Sequence, residues 1–385
     1  MTKEIEIVLI GNYQPDKQES MIRFANLLQN GFCNSGIRSQ IWWPTIVAGA
    51  KVKSTNNGLG KWLGYIDKYL IFPLVLKRRV KFIQQQNPGV KFHICDHSNA
   101  PYLKYLPVSR TSITCHDVIA IRGSMGYRDS FESSSKMGAL LQNWIFGYLK
   151  KARSIAFVSQ HTCNQYADMV RPYNLSTQNF VVIHNGFNNN FEPIDKGLAK
   201  KIITIAGMDI SKPFLLHVGS GSTRKNRALL LNMGSILQNK TAVNICFAGD
   251  ALDKQLYDLA NNLGLSKNVF SIIKPDHQTL MALYSCCDAF IFPSLSEGFG
   301  WPLIEAQACG AAVIASNSEP MPEVSGGAAL HFDPNKPQDF ADGFLELQHD
   351  HLKQTLVRDG FKNCERFAST LMIDAYLNLL NGIGN

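Results

Sequence analysis

The sequence predicts an α/β protein with two doubly wound parallel sheets. From Phe214 onward short apolar runs alternate with helical stretches, and the runs read FLLHV, NICFAG, VFSII, AFIF, AAVIAS and AALHF. Most of their residues are β-branched or aromatic, which is typical of buried strands joined by crossover helices. With 385 residues and 45% hydrophobic content, the chain is long enough for two such domains. We therefore expect two Rossmann-like domains facing a cleft.

The first half begins in the same way. IEIVLIG predicts a strand, and FHICD, SITCH and IAFVS predict further buried strands. A helix is expected over about 17–30, with Asp16 as its N-cap and Glu19 three residues later in a capping-box arrangement. Gly31 lies just beyond the expected end of this helix.

The domain boundary is expected in an Asn-rich stretch. Residues 184–212 include IHNGFNNNFEPID, whose turn-forming residues predict a linker. The expected division is one Rossmann-like domain over 1–190 and a second over 191–370. Residues 371–385 are expected to form a C-terminal helix that is a candidate to return to the first domain.

The nine cysteines predict a reducing compartment. Their number is odd, none forms a C-x-x-C pair, and the polar first six residues do not resemble a cleavable signal peptide. We expect free thiols and a cytoplasmic protein. Cysteine spacing typical of a metal site is absent.

The net charge of +8 is unevenly distributed. Residues 1–200 hold 24 Lys and Arg against 12 Asp and Glu, whereas the remaining residues hold 14 against 18. A basic half predicts an anionic partner, either nucleic acid or lipid, although any single cluster is also compatible with a solvated surface. No nucleic-acid motif or basic groove interleaved with aromatics is present, so nucleic acid is not expected.

Two glutamates eight residues apart form the most informative local pattern. In SLSEGFGWPLIEAQACG, Glu297 lies in a loop with two glycines and Glu305 lies in the helix that follows. Pro302 suits the start of that helix and Gly310 its end. A glycine loop before a helix N-terminus presents unpaired N–H groups and the positive end of a dipole, which suits a phosphate or a sugar hydroxyl. Either glutamate alone is equally compatible with dipole compensation or solvation.

This block resembles the E-x7-E donor signature of glycosyltransferase family 4, a family of retaining enzymes with the GT-B fold. The similarity extends over HVGSGSTRKN, CFAGD and SIIKPDHQTLMALYSCCDAFIFPS, and more thinly over TCHDV, AFVSQHT and VIHNGF in the first half. The resemblance implies a nucleotide-sugar-dependent hexosyltransferase that retains configuration and requires no divalent metal. The absence of any D-x-D pair agrees with the last point.

The resemblance also implies roles for individual residues. Arg224 and Lys225 are expected to bind the donor diphosphate, and Ser220 stands where many members have a further Arg. His116 is expected to reach the donor sugar, and Glu297 to orient it. The expected catalytic residues are His116, Arg224, Lys225 and Glu297; the expected donor-binding residues are Gly11, Arg224, Lys225, Lys274, Glu297, Gly298, Phe299, Gly300, Leu303 and Glu305.

Gly11 and Ser159 match the family pattern less well than the residues above. The family usually has two glycines after the first strand, whereas this chain has only Gly11 there, followed by Asn12. Ser159 matches a family serine, but a buried hydroxyl at a strand end is the simpler explanation. Gly219 and Gly221 begin a dinucleotide fingerprint whose third glycine position is occupied by Arg224, so that fingerprint fails.

Residues 61–82 combine aromatic and aliphatic side chains with a basic KRRVK cluster. Pro73 and the charges exclude a membrane span. The segment is compatible with a helix lying on an anionic membrane, with Trp62, Tyr65 and Tyr69 at the interface, and also with an ordinary helix packed on its own sheet. The basic first half favours peripheral contact at the inner face of the cytoplasmic membrane.

The function expected from these observations is hexosyl transfer in polysaccharide biosynthesis. The expected donor is UDP-glucose, with GDP-mannose as the alternative, and the expected acceptor is a glycan or lipid-linked oligosaccharide. Other possibilities are a two-Rossmann sugar-nucleotide enzyme that does not transfer, or a carbohydrate-binding protein without activity. The presence of both glutamates and both cations favours transfer.

Overall fold

A computed structural model describes residues 7–52, 54–55, 58–131, 135–173, 175 and 178–383. The chain divides into two compact units. Unit 1 comprises Met1–Tyr127, Ser133–Asn188 and Ser369–Asn385, and unit 2 comprises Arg128–Glu132 and Asn189–Ala368. Residues 1–6, in which the predicted first strand begins, lie outside the described residues.

Unit 1 is built on a six-stranded parallel sheet. In spatial order the sheet reads β2-β1-β3-β4-β5-β6. Next to one edge of the sheet, Ile7 of β1 pairs with Ser39 of the edge strand β2 on one side and with Lys91 of β3 on the other. Strands β1 to β6 span Ile7–Ile10, Ser39–Trp42, Lys91–Ile94, Thr111–Cys115, Ser154–Phe157 and Asn179–Val182.

Helices cover this sheet and bury its apolar side chains. One helical run continues from α2 through a π-helical turn, Asp67–Ile71, into α3. Phe72, Leu76, Val80 and Ile83 of that run pack into the core beside the sheet. Helices α1 to α6 span Glu19–Asn34, Gly58–Ile66, Phe72–Gln86, Ile119–Ser124, Lys136–Leu149 and Gln160–Val170.

The predicted capping box at the start of α1 is wrong. The helix begins at Glu19 with Gln18 in the N-cap position and no side-chain cap. The carboxylate of Asp16 instead accepts hydrogen bonds from Thr55 Oγ1 and Lys68 Nζ, both at 2.7 Å. Partners distant in sequence thus replaced the local cap. Gly31 lies inside the helix, where a Cβ would collide with the side chain of Ile373.

Unit 2 contains a second six-stranded parallel sheet, ordered β12-β11-β10-β7-β8-β9. If β7 is counted as strand 1 and β12 as strand 6, this is the strand order 3-2-1-4-5-6 of dinucleotide-binding folds. All strands are parallel, but the order in which the chain adds them to the sheet reverses between β7 and β10. Ligands bind such sheets at that reversal, beyond the carboxyl ends of the strands. Strands β7 to β12 span Phe214–Gly219, Asn244–Gly249, Val269–Ile273, Ala289–Phe292, Val313–Ser316 and Leu330–Phe332.

The predicted linker contains a helix. Residues 196–205 of the stretch form α7, which begins at an N-cap, Asp195, whose carboxylate accepts from the N–H groups of Gly197 and Leu198. Turn-forming residues before position 195 concealed this helix in the sequence. Helices α7 to α14 span Lys196–Ile205, Arg227–Leu237, Lys254–Asn262, His277–Cys286, Trp301–Ala308, Met321–Ser325, Pro337–Glu346 and Asp350–Cys364.

The last helix, α15 at Ser369–Asn381, groups with unit 1. Tyr376 anchors it there, because its hydroxyl lies 2.8 Å from Thr114 Oγ1 and its ring packs against Phe24 and His93. Gly186 donates its N–H to the sulfur of Met372 in the same helix.

The fold class is confirmed: both sheets are parallel and covered by helices, as two Rossmann-like domains require. The ten apolar runs singled out in the sequence coincide with strands to within three residues. Strands β2 and β6 were not predicted. Within the part of the chain that the structure describes, no helix is long and apolar enough to cross a membrane.

Candidate functional site

Two loops meet at the topological reversal of unit 2. One follows β7 and ends in a short helical turn, Thr223–Lys225; the other follows β10 and runs from Pro293 to Gly300. Arg224 accepts the N–H of Leu295 on its backbone carbonyl at 2.8 Å, which joins the two loops directly. The residues that the sequence predicts for phosphate and sugar therefore lie at the edge of the sheet where this fold binds ligands.

Glu297 lies between the two predicted phosphate-binding cations. Its Oε2 accepts from Arg224 Nη1 and its Oε1 accepts from Lys225 Nζ, each at 2.6 Å. Arg224 Nη1 also donates to the carbonyl of Ser296 at 3.0 Å. Lys225 and Glu297 are buried, and Arg224 is about one-quarter exposed. We call these three residues the charge triad.

The charge triad carries a net charge of +1. Burial raises the pKa of Glu297, but the charges of Lys225 and Arg224 outweigh it and lower the value to about 2. Burial lowers the pKa of Lys225, and the attraction of Glu297 offsets this only in part because Arg224 repels the same charge. Glu297 is therefore firmly ionised, whereas the buried Lys225 ammonium depends on its carboxylate partner.

Asn226 fixes the position of the triad. Its backbone is in the left-handed region at φ 53°, a conformation that asparagine tolerates better than most residues. Its side-chain amide donates to the carbonyls of Pro293 at 3.2 Å and Pro334 at 2.7 Å. The residue after the two cations thus connects their loop to the loop that carries Glu297.

Helix α11 begins and ends where the sequence predicts. Gly300, the residue before the helix, has φ 99°, which is accessible to glycine and strained for any residue with a Cβ. Pro302 lies in the first turn, where backbone N–H groups have no partner within the helix, so the N–H that proline lacks costs no hydrogen bond. Gly310 follows the C-cap with φ 79°. The loop of Glu297 is therefore held directly before a helix N-terminus.

Glu305 is the fifth residue of α11 and is buried. Its Oε2 accepts a hydrogen bond from the hydroxyl of Tyr284 on α10 at 3.1 Å. Burial, followed by the charge of Glu305, raises the pKa of that phenol well above its usual value, so it stays a donor. Tyr284 was not identified from the sequence, because an aromatic residue in a helix gives no signal beyond core packing.

The other predicted donor residues of unit 2 have different environments. Gly298 lies in the loop of Glu297, whereas the side chains of Phe299 and Leu303 are buried, and Phe299 packs edge-on against Phe367. Lys274 follows β9, two strands from β7, with an exposed side chain and φ 46°. Its N–H donates to the carbonyl of Gly249 at 2.9 Å.

Two predicted residues, Gly11 and His116, belong to unit 1. A Cβ on Gly11 would collide with the ring of Trp43, so close packing requires glycine there. His116 is buried, and since a carbonyl only accepts, its Nε2 donates to Cys95 at 2.9 Å. Burial lowers the pKa of His116 below its usual range, so the ring is neutral at physiological pH.

Ser159 has the structural role that the simpler explanation assigns to it. It is the N-cap of α6, and its Oγ accepts the N–H of Thr162 at 3.1 Å. The first-strand loop is likewise held internally, since Asn12 donates to Asp96 at 2.6 Å and accepts from Asn99 at 2.9 Å.

Two polar side chains near the charge triad were missed in the sequence. His217 of β7 donates from Nδ1 to the carbonyl of Ile291 at 3.2 Å, and its buried Nε2 has no partner among the described residues. Burial lowers the pKa of His217 to about 3, so Nε2 is a lone-pair acceptor. The Oγ of Ser294, just after β10, is also buried without a partner among those residues. Both atoms are available to a ligand hydroxyl or a water.

The described residues contain no cluster of three or more His, Cys, Asp or Glu side chains that could hold a metal ion. All nine cysteines are free, and most are buried. Burial raises the pKa of Cys95, Cys115 and Cys287 well above the usual thiol range, so these thiols are protonated packing residues.

Sequence comparison connects unit 2 to a known family. Residues 200–362 match the family model for glycosyl transferases group 1. The chain is 26% identical over 238 residues to the serotype-specific mannosyltransferase WbdA of Escherichia coli, covering 60% of this chain and 28% of that protein. It is 30% identical over 175 residues to the O-antigen chain mannosyltransferase B of E. coli, covering 42% and 45%. The chain thus spans less than half the length of these curated relatives.

Structure comparison covers nearly the whole chain. Sucrose-phosphate synthase from Thermosynechococcus elongatus aligns with a TM-score of 0.74 at 16% identity over 98% of both chains. Anabaena HepE, solved in complex with UDP and glucose, aligns with a TM-score of 0.70 at 15% identity over 99% of this chain and 100% of its own. At this identity the likeness shows the fold alone. The comparisons thus show similarity to glycosyl transferases group 1 over residues 200–362 and the GT-B fold over nearly the whole chain.

Proposed function

We propose that the chain is a glycosyltransferase that moves a hexose from a nucleotide diphosphate sugar to a glycan or lipid-linked acceptor in polysaccharide biosynthesis. The charge triad carries the proposal. It joins two cations and a carboxylate at the topological reversal of unit 2, beside a helix N-terminus, inside the segment that matches glycosyl transferases group 1.

The triad has the charge that a diphosphate requires. Arg224 and Lys225 share the carboxylate of Glu297, so the charge triad itself keeps one positive charge, with the Glu305 carboxylate close enough to act on Lys225. The N-terminus of α11 adds the positive end of its dipole. When the bond between the anomeric carbon and the diphosphate oxygen breaks, negative charge develops on the leaving group. Fixed cations and N–H groups aimed there would lower the barrier electrostatically.

Glu297 has a second role in this scheme. Before the donor binds, its carboxylate offsets one of the two positive charges and stabilises the buried cations. A bound diphosphate would take over that neutralisation, which leaves Glu297 to accept hydrogen bonds from the sugar hydroxyls. Positioning the sugar is the role that we assign to it, rather than nucleophilic attack.

Glu305 is proposed to bind the nucleotide ribose. Its carboxylate is held by the Tyr284 hydroxyl, so its remaining acceptor capacity points in a fixed direction. A ribose diol offers two hydroxyl donors to a carboxylate. Lys274, Gly298, Phe299, Gly300 and Leu303 are proposed to complete the donor site in unit 2. For Gly11 and His116, which belong to unit 1, a donor-binding role is supported by the family resemblance alone.

The reaction is proposed to retain configuration and to require no divalent metal. The acceptor oxygen would bond to the anomeric carbon on the face from which the diphosphate leaves, its proton would pass to the departing diphosphate oxygen, and the nucleoside diphosphate would be released. The two cations would supply the charge that a metal ion supplies in other transferases. The family resemblance supports retention, and the cation pair supports independence from metal.

GDP-mannose is proposed as the first donor and UDP-glucose as the second. The mannosyltransferase names of the E. coli relatives favour GDP-mannose. UDP-glucose, the donor expected from the sequence, is the alternative. The proposed acceptor is a glycan or lipid-linked oligosaccharide. A cytoplasmic location with peripheral contact at an anionic membrane remains a prediction from the charge distribution.

The test is donor hydrolysis without acceptor. GDP-mannose, UDP-glucose, UDP-galactose and UDP-N-acetylglucosamine would each be incubated with the protein in EDTA, and released nucleoside diphosphate would be measured. We expect slow hydrolysis of one donor and its loss in Glu305→Ala. The matched control is Glu346→Ala, which removes an exposed carboxylate from α13 and should leave the rate unchanged.

The outcomes separate the parts of the proposal. Hydrolysis of UDP-glucose but not GDP-mannose would reverse the order of donors. Activity that appears only with added Mg²⁺ or Mn²⁺ would refute independence from metal. If no donor turns over and no nucleotide raises the melting temperature, the donor site itself is wrong and a binding protein becomes the better explanation.

A further inference from the structure

Unit 1 exposes an apolar surface that its own fold does not use. The helical run from α2 into α3 carries Leu59, Trp62, Ile66, Leu70 and Leu74 at spacings of three and four residues, so these side chains form one stripe along the run. Each is between 38% and 76% exposed. Scattered exposed hydrophobics are ordinary in proteins, but a continuous helical stripe usually marks a binding surface.

The core of unit 1 is formed by a different face of the same run. Phe72, Leu76, Val80 and Ile83 point into the sheet and are buried. Asp67, in the π-helical turn, fixes the orientation of the run. Its buried carboxylate accepts from the Tyr13 hydroxyl at 2.5 Å and from the N–H groups of residues 47, 48 and 49 at 2.8–3.0 Å. Core packing therefore does not account for the exposed stripe.

A second stripe lies beside the first. Met137, Leu140 and Trp144 of α5 follow the same three- and four-residue spacing and are also exposed. Between the two helices runs a groove of about 610 Å³, whose walls include Trp62, Tyr65, Tyr69, Leu141 and Trp144. We call the two stripes with this groove the apolar face.

Aromatic rings line the groove in an unbroken series. Trp62 lies 5.8 Å from Tyr65, Tyr65 lies 5.7 Å from Tyr69, and Tyr69 lies 5.0 Å from Trp144. Trp and Tyr combine an apolar ring with a polar edge and are enriched where hydrocarbon meets lipid headgroups. This composition favours the interfacial region of a bilayer over a dry protein interface.

The charges around the apolar face have one sign. Residues 58–86 hold six Lys and Arg, of which only Lys68 is paired with an acid, Asp16, among the residues that the structure describes, and their single acid, Asp67, is buried. Lys77, Arg78 and Lys81 continue the exposed side of α3 beyond Leu74. Residues 135–151 hold three lysines and no acid. A second copy of this chain would bring like charges together, whereas anionic headgroups would neutralise them.

We propose that the apolar face docks on an anionic lipid bilayer, with α2, α3 and α5 lying in the interface and the groove receiving a lipid acyl chain. The run is too charged to cross the bilayer, and Pro73 lies within it, but an amphipathic helix binds in the plane of the surface. The proposal concerns a surface of unit 1 remote in sequence from the charge triad. It holds or fails independently of the proposed transfer reaction.

The test is sedimentation of the full-length protein with vesicles. Vesicles of phosphatidylcholine and phosphatidylglycerol in equal amounts should bind the protein, and phosphatidylcholine alone should bind it weakly. High salt should weaken the binding. The double variant Leu59→Ser/Leu140→Ser should bind roughly tenfold more weakly. The matched control is Leu198→Ser/Ile205→Ser, which removes two exposed apolar side chains from α7 and should bind like the wild type.

A second variant tests the charges without touching the apolar stripes. Each basic residue near an anionic surface contributes about fivefold to binding, so Arg78→Gln/Lys81→Gln should bind roughly 25-fold more weakly. Both side chains are exposed, so the variant should melt at the wild-type temperature. If Leu59→Ser/Leu140→Ser proves unstable, this variant still decides the question.

Fluorescence quenching tests insertion directly. Lipids brominated in the acyl chain should quench the protein, and Trp62→Phe/Trp144→Phe should bind equally but lose most of the quenching. Failure to sediment with either vesicle, or wild-type binding by both Leu59→Ser/Leu140→Ser and Arg78→Gln/Lys81→Gln, would overturn the proposal. So would a dimer in solution that Leu59→Ser/Leu140→Ser dissociates, because the face would then join two copies. Glu305→Ala should bind vesicles like the wild type whether or not the donor site is correct.

Discussion

Replacing Glu297 by Gln tests the charge triad with the smallest change of shape. The substitution leaves Lys225 and Arg224 next to a neutral amide in a buried site. The pKa of Glu297 falls from 4.5 to about 2 on folding. At 1.36 kcal/mol per pKa unit, the ionised carboxylate stabilises the folded protein by about 3 kcal/mol at pH 7. This agrees with the range for breaking one side of a buried ion pair.

The stability lost in Glu297→Gln should depend on pH, whereas the loss caused by a packing defect should not. A carboxyl group whose folded pKa is depressed stabilises the protein above its unfolded pKa and loses that contribution as pH falls toward the folded pKa. The difference between wild type and Glu297→Gln should therefore narrow by roughly 1 kcal/mol between pH 7 and pH 4. It should also narrow at alkaline pH, where the buried Lys225 can lose its proton.

Urea unfolding at several pH values measures both effects. Glu346→Gln, on an exposed turn of α13, is the matched control and should change stability by less than about 0.5 kcal/mol. A Glu297→Gln variant as stable as the wild type at pH 7 would refute the reasoning. A loss that stays constant from pH 7 to pH 4 would show that geometry rather than charge holds the triad.

Two further substitutions test the supports of the site. Gly300→Ala places a Cβ at φ 99° and should lower stability by about 1–3 kcal/mol, measured by thermal melting, whereas Gly147→Ala, at an open helical position, should not destabilise the protein. Tyr284→Phe removes the donor to Glu305 and should cost about 1–3 kcal/mol while weakening nucleotide binding in calorimetry. Unchanged melting of Gly300→Ala, or unchanged affinity of Tyr284→Phe, would contradict these assignments.

The C-terminal sheet was the most predictable part of the fold. Its four inner strands are mostly buried, and all six strands appear in the sequence as largely apolar runs. The strands that were missed lie toward the ends of the other sheet and are less deeply buried. Ser39–Trp42 begins with two polar residues, which weakens its strand signal. Asn179–Val182 is apolar after its first residue but lies directly before the turn-forming stretch that predicted a linker.

Local signals succeeded where no distant partner competed. Pro302 and Gly310 predicted the ends of α11 because their own backbone preferences are enough to start and stop a helix. Asp16 failed as an N-cap because Thr55 and Lys68, far along the chain, offer its carboxylate stronger partners. A capping pattern in sequence cannot weigh contacts that only the fold brings together.

The sequence predicted the residues of the candidate site but not the ion pairs between them. The sequence indicates Arg224, Lys225 and Glu297 separately, but the cations and the carboxylate are more than 70 residues apart. Their mutual neutralisation follows only from the adjacency of β7 and β10. The apolar face was ambiguous for a similar reason: residues 61–82 have apolar side chains on more than one side, and the sequence does not say which side the sheet covers.

Calorimetric titration with GDP and UDP measures whether the charge triad binds a diphosphate. We expect that at least one nucleotide binds the wild type and that Lys225→Gln binds it roughly 10- to 100-fold more weakly, because a charge-assisted hydrogen bond is lost. Lys240→Gln, at an exposed position of the same unit, should bind like the wild type. Equal affinity of Lys225→Gln and wild type, or no binding of either nucleotide, would contradict the account.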